Sequence, residues 1–252
     1  MADSTASGTG GDAAGSPGLG TMVFAVLRSG ALGLSGLLAI SIWFSILLGI
    51  FDGLGPVVQQ GVSAVALGLG TGTIAVLYLV GRGKGLSYLD FRIPDRRDLL
   101  YVVAGSMALL GLQIAVGVAL TQAGVNTADH SVEQAARQGN PDILLALIPA
   151  AWLLIGPGEE LLYRNIIQKS LYETFSKRGA VVVASAIFAL AHGLAYATAA
   201  SLVATAVALG VIFLLSLVLG VVYLRTGNTT VPALVHGTFD AVLFAAMWVS
   251  LA

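Results

Sequence analysis

Gly156-Pro157-Gly158-Glu159-Glu160-Leu161-Leu162-Tyr163-Arg164 decides the fold class, because it sets two adjacent carboxylates inside a long apolar run. A charged side chain at the centre of a bilayer costs about 2.5–3.5 kcal/mol on insertion scales, so ionisable groups there face a bundle interior and mark functional sites. Two later apolar runs carry matching groups: Phe188-Ala189-Leu190-Ala191-His192 and His236-Gly237-Thr238-Phe239-Asp240. The chain has 3 His, and two of them lie in these runs.

The surroundings are those of a membrane protein. Hydrophobic residues make up 57% and charged residues 10% of the 252 positions. Ordinary globular domains carry roughly 25% charged residues. Runs of about 20 apolar residues, enough to span a bilayer, recur along the chain. The alternating segments of roughly 10 residues that mark a membrane β-barrel do not. The expected fold is an all-α polytopic transmembrane bundle of about seven spans. A net charge of −1 leaves no field for recruiting nucleic acid. With no Cys, thiolate catalysis, disulfides and Cys-ligated zinc are excluded.

Three parts are expected: a tail at 1–20, helices and a basic loop at 21–141, and a catalytic helix core at 142–252. The tail is rich in Gly, Ala and Ser and reads as disordered. It lacks the basic start and apolar core of a signal peptide. Spans are expected at about 31–51, closed by Asp52 and Gly55-Pro56, then at 62–80, 99–120, 143–175, 180–196, 200–224 and 232 to the C-terminus. Gly68, Gly70 and Gly72 read as helix-packing positions. Ser131-Val132-Glu133-Gln134 suggests a short surface helix, with His130 an exposed loop residue. Pro232 suits a first helical turn. Basic residues concentrate at one set of helix ends, which the positive-inside rule makes cytoplasmic. The reading is therefore an integral protein of the cytoplasmic membrane with its N-terminus inside and its C-terminus outside.

Residues four apart share a helix face. Glu160 and Arg164 then pair, as do Glu159 and Tyr163, Phe188 and His192, and His236 and Asp240. Glu159 and Glu160 point about 100° apart and should do different jobs: one faces a cavity while the other is held by Arg164. Arg164 also reads as marking the membrane boundary, and Tyr163 and Phe188 as packing residues. Depths along the helices allow the three groups to line one cavity, expected to open to the cytoplasm. A desolvated carboxylate beside imidazoles suits activation of water. No Ser, Cys or Lys stands out as a nucleophile.

At these positions the chain resembles the CPBP intramembrane proteases, which include CAAX prenyl endopeptidases and bacteriocin-processing and immunity proteins. Their pattern is EExxxR, FxxxH and HxxxN or HxxxD. Here it is met by Glu159-Glu160…Arg164, Phe188…His192 and His236…Asp240, over roughly residues 143–250. The resemblance implies an endopeptidase in which Glu159 is the base on a water held with His192. Glu160, paired with Arg164, would position the site, and His236 with Asp240 would form the oxyanion side. It leaves metal dependence open, since Glu159, His192 and His236 could ligate zinc with one position free. Asp240 departs from the Asn form: an Asn amide can donate to an oxyanion, whereas an ionised Asp cannot. The implied partners are membrane lipid and a peptide or membrane-protein substrate, prenylation being one option. The alternatives are a non-catalytic scaffold or immunity-type protein and a transporter using the same buried groups.

Overall fold

The computed structural model describes residues 17–196 and 201–252, so most of the expected tail lies outside the described residues. Among the described residues every regular element is helical and there is no strand. Seven helices are long and apolar enough to cross a membrane. They are α1 (Leu19–Ile50), α2 (Pro56–Gly81) and α3 (Arg96–Gln122), then, after the short α4 (Ser131–Arg137), α5 (Ile143–Leu171), α6 (Lys177–Ala191, prolonged by a tighter 3-10 turn at His192–Tyr196), α7 (Leu202–Thr226) and α8 (Thr230–Leu251). The all-α transmembrane bundle is as expected.

Boundaries differ from the hydropathy pattern where local chemistry decides them. α1 starts at Leu19 rather than near 31 and has 32 residues, about 48 Å at 1.5 Å per residue. That exceeds a hydrocarbon core of about 30 Å. Ser29 and Gly30 do not interrupt it, and Arg28 reaches toward Glu173 at 3.7 Å. Pro56 opens α2 at its first turn instead of closing α1, since its missing N–H would have no helical partner there. A reciprocal capping box between Asp95 and Asp98 starts α3.

α5 is the irregular span. Its turns widen to π geometry at Ala151–Ile155 and Leu161–Gln168. Pro157 has no N–H to give, and the Gly156 N–H bonds Ala151 O five residues back. The stretch that carries the paired acids is thus held between two loosened turns. Glycines let it press against its neighbours. A Cβ on Gly156 would stand 2.6 Å from Ala233 O, and one on Gly237 would stand 2.7 Å from Ala151 O. A Cβ on Gly158 would meet Leu67 Cδ2 at 2.7 Å and Thr71 Oγ1 at 2.9 Å. α5 therefore touches α8 and α2 almost backbone to backbone at the level of Glu159. Of the glycines expected to pack α2, Gly70 does so tightly, 2.6 Å from Ile40 N for a Cβ there, while Gly72 faces open space.

The basic end is sealed by polar groups that hydropathy does not reveal. Asp90, in the left-handed region at φ 52°, accepts at Oδ2 from Lys169 Nζ at 2.6 Å, Tyr223 OH at 2.8 Å and Asn165 Nδ2 at 3.3 Å. Thr229 Oγ1 donates to Leu89 O at 2.8 Å, and Asn228 Nδ2 to Asp98 Oδ2 at 2.9 Å. The link between α2 and α3 is thereby tied to α5, α7 and α8.

Candidate active site

Six of the residues singled out in the sequence meet around one point, each delivered by its helix. Glu160 and Arg164, one turn apart on α5, form a fully buried pair with Arg164 Nε 2.8 Å from Glu160 Oε2. The other oxygen of Glu160, Oε1, receives the His236 Nδ1–H from α8 at 3.0 Å. Both carboxylate oxygens are spent on holding partners. Arg164 Nη1 also donates to Ser216 Oγ on α7 at 3.1 Å, and its guanidinium lies 4.9 Å from the centre of the Phe188 ring. Arg164 does not sit at the surface: its side chain is 0% exposed, whereas Lys169, nearer the helix end, is partly exposed and pairs with Asp90.

Glu159 is the other kind of acid. Its Oε2 makes no hydrogen bond and stands 3.9 Å from Nε2 of both His192 and His236. His192 is oriented by its own helix. Its Nδ1 lies 2.9 Å from Phe188 O, and a carbonyl only accepts, so Nδ1 carries a proton; in the neutral ring Nε2 is then the atom with the lone pair, and it faces Glu159. A water bonded at about 2.7–2.9 Å to both Glu159 Oε2 and His192 Nε2 would subtend about 90° between them, a relaxed angle. Asp240 Oδ2 lies 3.5 Å from His236 Nε2, beyond good hydrogen-bond range. It neighbours the imidazole without gripping it.

Phe188 is the hub of the packing, as expected. Its ring centre is 4.4 Å from that of His192, 4.9 Å from that of Tyr163 (edge-on) and 6.0 Å from that of His236. Sequence pattern gave no sign of Ser216 or Thr238. Thr238 Oγ1 takes the Trp152 indole N–H at 3.1 Å beside the Gly156–Gly237 crossing. Only the polar character of these residues inside apolar runs could have pointed to them.

The zinc option requires three donors about 3.3 Å apart, the spacing set by tetrahedral bonds of about 2.0–2.1 Å. Glu159 Oε2 stands 3.9 Å from each imidazole, and no group of three His, Asp or Glu among the described residues is arranged to hold a metal ion. The donor types suit zinc and the spacing does not.

These groups line a cavity of about 950 Å³ with mainly apolar walls. It runs from Glu159 toward the end of the bundle where α1 turns into α2 and α6 into α7, reaching Pro56, Val125 and Tyr196. The expectation that the site opens at the basic end is thereby corrected. No residue of the 82–95 or 172–176 links lines the cavity, because the Asp90 network fills that end. The reading of His130 is corrected too. It is partly buried, lines the cavity, caps α4 by accepting the Val132 N–H at Nδ1, and meets Tyr196 edge-on with ring centres 5.4 Å apart. Burial pushes its pKa down to about 4, and the nearby His192 adds to the effect.

Residues 141–242 match a family model described as Rce1-like, type II CAAX prenyl endopeptidase. This part of the chain is similar to the CAAX intramembrane proteases. The matched segment holds all three motifs and spans α5, α6, α7 and the first half of α8. The family supports CAAX-type intramembrane protease activity in general terms. No curated protein and no solved structure matches the chain. α1, α2 and α3 lie outside the matched segment, yet Leu37, Gln59 and Gln113 from them line the same cavity.

Proposed function

We propose that the chain is an intramembrane endopeptidase that hydrolyses a peptide bond with water activated by Glu159. The observation that carries this is the placement of Glu159 Oε2, unbonded and 3.9 Å from both imidazoles, at the inner end of a largely apolar cavity. Glu159 takes a proton from the water as its oxygen adds to the carbonyl carbon. His192 Nε2 accepts the other water proton in a hydrogen bond and fixes the water's aim. His236, held at Nδ1 by Glu160, faces the developing oxyanion with Nε2 and stabilises it when that nitrogen is protonated. As the C–N bond breaks, Glu159 passes its proton to the leaving amine. Glu160 and Arg164 act through His236 and Phe188 and are positioning residues. Asp240 borders the oxyanion side.

The substrate is a peptide or membrane-protein segment entering through lipid or from the cavity mouth, and a lipid-modified segment would use the same apolar walls. The test is terminal-peptide profiling of native membranes carrying the chain or its Glu159→Gln variant. Termini that depend on Glu159 are expected. Their absence, with both proteins folded, would favour a scaffold.

The distribution of basic residues supports a cytoplasmic N-terminus in the cytoplasmic membrane. The cavity mouth then faces the opposite side. The chain has no Cys, so single cysteines can be read cleanly. Asn140→Cys is expected to react with an impermeant maleimide in intact cells and Lys84→Cys is not. The reverse pattern would invert the orientation.

A further inference from the structure

Resting on the protease reading, a contact to the substrate follows from the way His130 is held. His130 lies outside the matched segment 141–242. It stands at the N-cap of α4 and lines the cavity. Its Nδ1 receives the Val132 N–H at 3.2 Å. A backbone N–H only donates, so Nδ1 carries no proton, and in the neutral ring the proton sits on Nε2. Burial, with His192 nearby, pushes the pKa down to about 4, so the ring is neutral at ordinary pH. Tyr196 meets it edge-on with ring centres 5.4 Å apart and fixes its plane. With Nδ1 turned back onto α4, Nε2–H is the tip of the ring, and no acceptor among the described residues takes its proton.

The position suits a polypeptide bound at Glu159. Tyr196 ends the 3-10 turn that starts at His192, four residues or about 8 Å along the turn. His130, packed on Tyr196, therefore stands about 8–13 Å from His192 on the mouth side, a distance that an extended chain covers in about two to four residues. The cavity walls are mainly apolar. A chain entering them gives up water around its oxygens, and a donor already held in place offsets that loss at little entropic cost. Gln59, Gln60, Gln113 and Asn140 line the same cavity, but an amide turns either a donor or an acceptor toward its ligand. The bond from Val132 leaves His130 a donor only.

We propose that His130 Nε2–H binds an acceptor oxygen of the substrate about two to four residues from the scissile bond, and so helps to set where along a polypeptide the cut falls. The oxygen belongs to a peptide carbonyl of a chain that continues past the site or to the carboxylate of a chain that ends there.

Two substitutions separate the two jobs of the imidazole. Asn is a preferred N-cap, so His130→Asn keeps the acceptor for Val132 and lacks the distal N–H. Gln reaches the Nε2 position with an N–H, so His130→Gln keeps the donor and weakens the cap. The full-length parent and both variants, in micelles, are given a synthetic peptide built on a Glu159-dependent cut from the membrane profiling. It is made in three forms: one running well past the cut, one ending about three residues past it as the free acid, and one ending there as the amide. We expect His130→Asn to raise KM about tenfold with kcat little changed, as for one lost hydrogen bond made equally in ground and transition states. His130→Gln should stay within about threefold of the parent KM. A rise on all three forms identifies a peptide carbonyl, and a rise on the free acid alone identifies the carboxylate. A His130→Asn protein that matches the parent KM on every form, a fall in kcat with KM unchanged, or a His130→Gln protein as impaired as His130→Asn would overturn the proposal. The Glu159→Gln protein should cut none of the peptides. Cutting by that variant, or no Glu159-dependent cut in the profiling, would overturn the protease reading and this inference with it.

Discussion

Replacing Arg164 by Ala should cost far more stability than any surface charge in this chain. Its guanidinium gives Nε to Glu160 Oε2 at 2.8 Å and Nη1 to Ser216 Oγ at 3.1 Å, and lies over the Phe188 ring at 4.9 Å. Removal leaves the Glu160 carboxylate, 0% exposed, with the His236 imidazole as its remaining partner at 3.0 Å. Stripping one member from a buried pair costs about 3–5 kcal/mol, mostly because the survivor stays buried and uncompensated. The cation–π contact, about 0.5–2 kcal/mol alone, overlaps with that figure and is not added to it. Unfolding in mixed micelles, followed by the fluorescence of the three Trp, should place Arg164→Ala about 3–5 kcal/mol below the parent. The double variant Arg164→Met with Glu160→Gln removes both charges and keeps an oxygen for His236. It should recover most of the loss, since exchanging a whole buried pair for neutral groups is often harmless. Arg164→Ala within about 1 kcal/mol of the parent, the range of an exposed pair, or a double variant no better than the single one, would refute the reasoning.

Gly237→Ala should push α8 off α5, because its Cβ would stand 2.7 Å from Ala151 O and 2.9 Å from Trp152 Cα, both backbone atoms. About 1–3 kcal/mol of stability and, from misplacement of His236, up to about 100-fold in activity should be lost, while Gly72→Ala, in open space, serves as a silent control. His130 has a folded-state pKa of about 4, below its ordinary 6.5, so its neutral form favours the folded state. Its contribution is complete above pH 6.5 and lost as pH falls toward 4, by up to about 3 kcal/mol; pH-dependent unfolding of His130→Asn should be flatter over that window, and an unchanged slope would refute the burial argument. Chelator treatment should leave activity intact, as the 3.9 Å spacings imply, and activity lost to chelator and restored by zinc would show that the imidazoles close on a metal during turnover.

Hydropathy made the seven spans legible because each must present about 20 apolar residues to lipid. The four-residue spacings likewise anticipated the Glu160–Arg164 pair, which survives inside a π turn because the loosened helix still brings the two side chains together. Three things stayed hidden, each because it depends on contacts between distant segments. The widened turns of α5 go with the close approach of Gly156 to Ala233 and Gly237 of α8, which residue periodicity does not show. The Asp90 network draws on five segments, and none of its polar residues is unusual in its own stretch. His130 looked like a loop residue because its burial comes from Tyr196, sixty-six positions on, folding across it. The direction of the cavity was misjudged for the same reason: charge marks which ends are basic, whereas a mouth is wherever no network closes the bundle.

On the proposed mechanism, the adjacent acids explain why the motif would need two carboxylates and not one. A single Glu at membrane depth could be a free base or a buried anchor, but it cannot hold His236 with both oxygens engaged and also face a water. A helical turn of about 100° per residue resolves this by sending the two side chains to different neighbours. Glu160 is turned into the α7–α8 side, where Arg164 and His236 use both of its oxygens. Glu159 is turned into the cavity, where its Oε2 has no bonded partner. The anchored acid fixes the tautomer-defining proton of His236 at Nδ1, which leaves Nε2 as the atom that faces Glu159 and Asp240. Exchanging the order of the two roles would need a rotation of α5 that the Gly156–Gly237 contact does not permit. Close glycine packing is therefore as much a part of the site as the acids are.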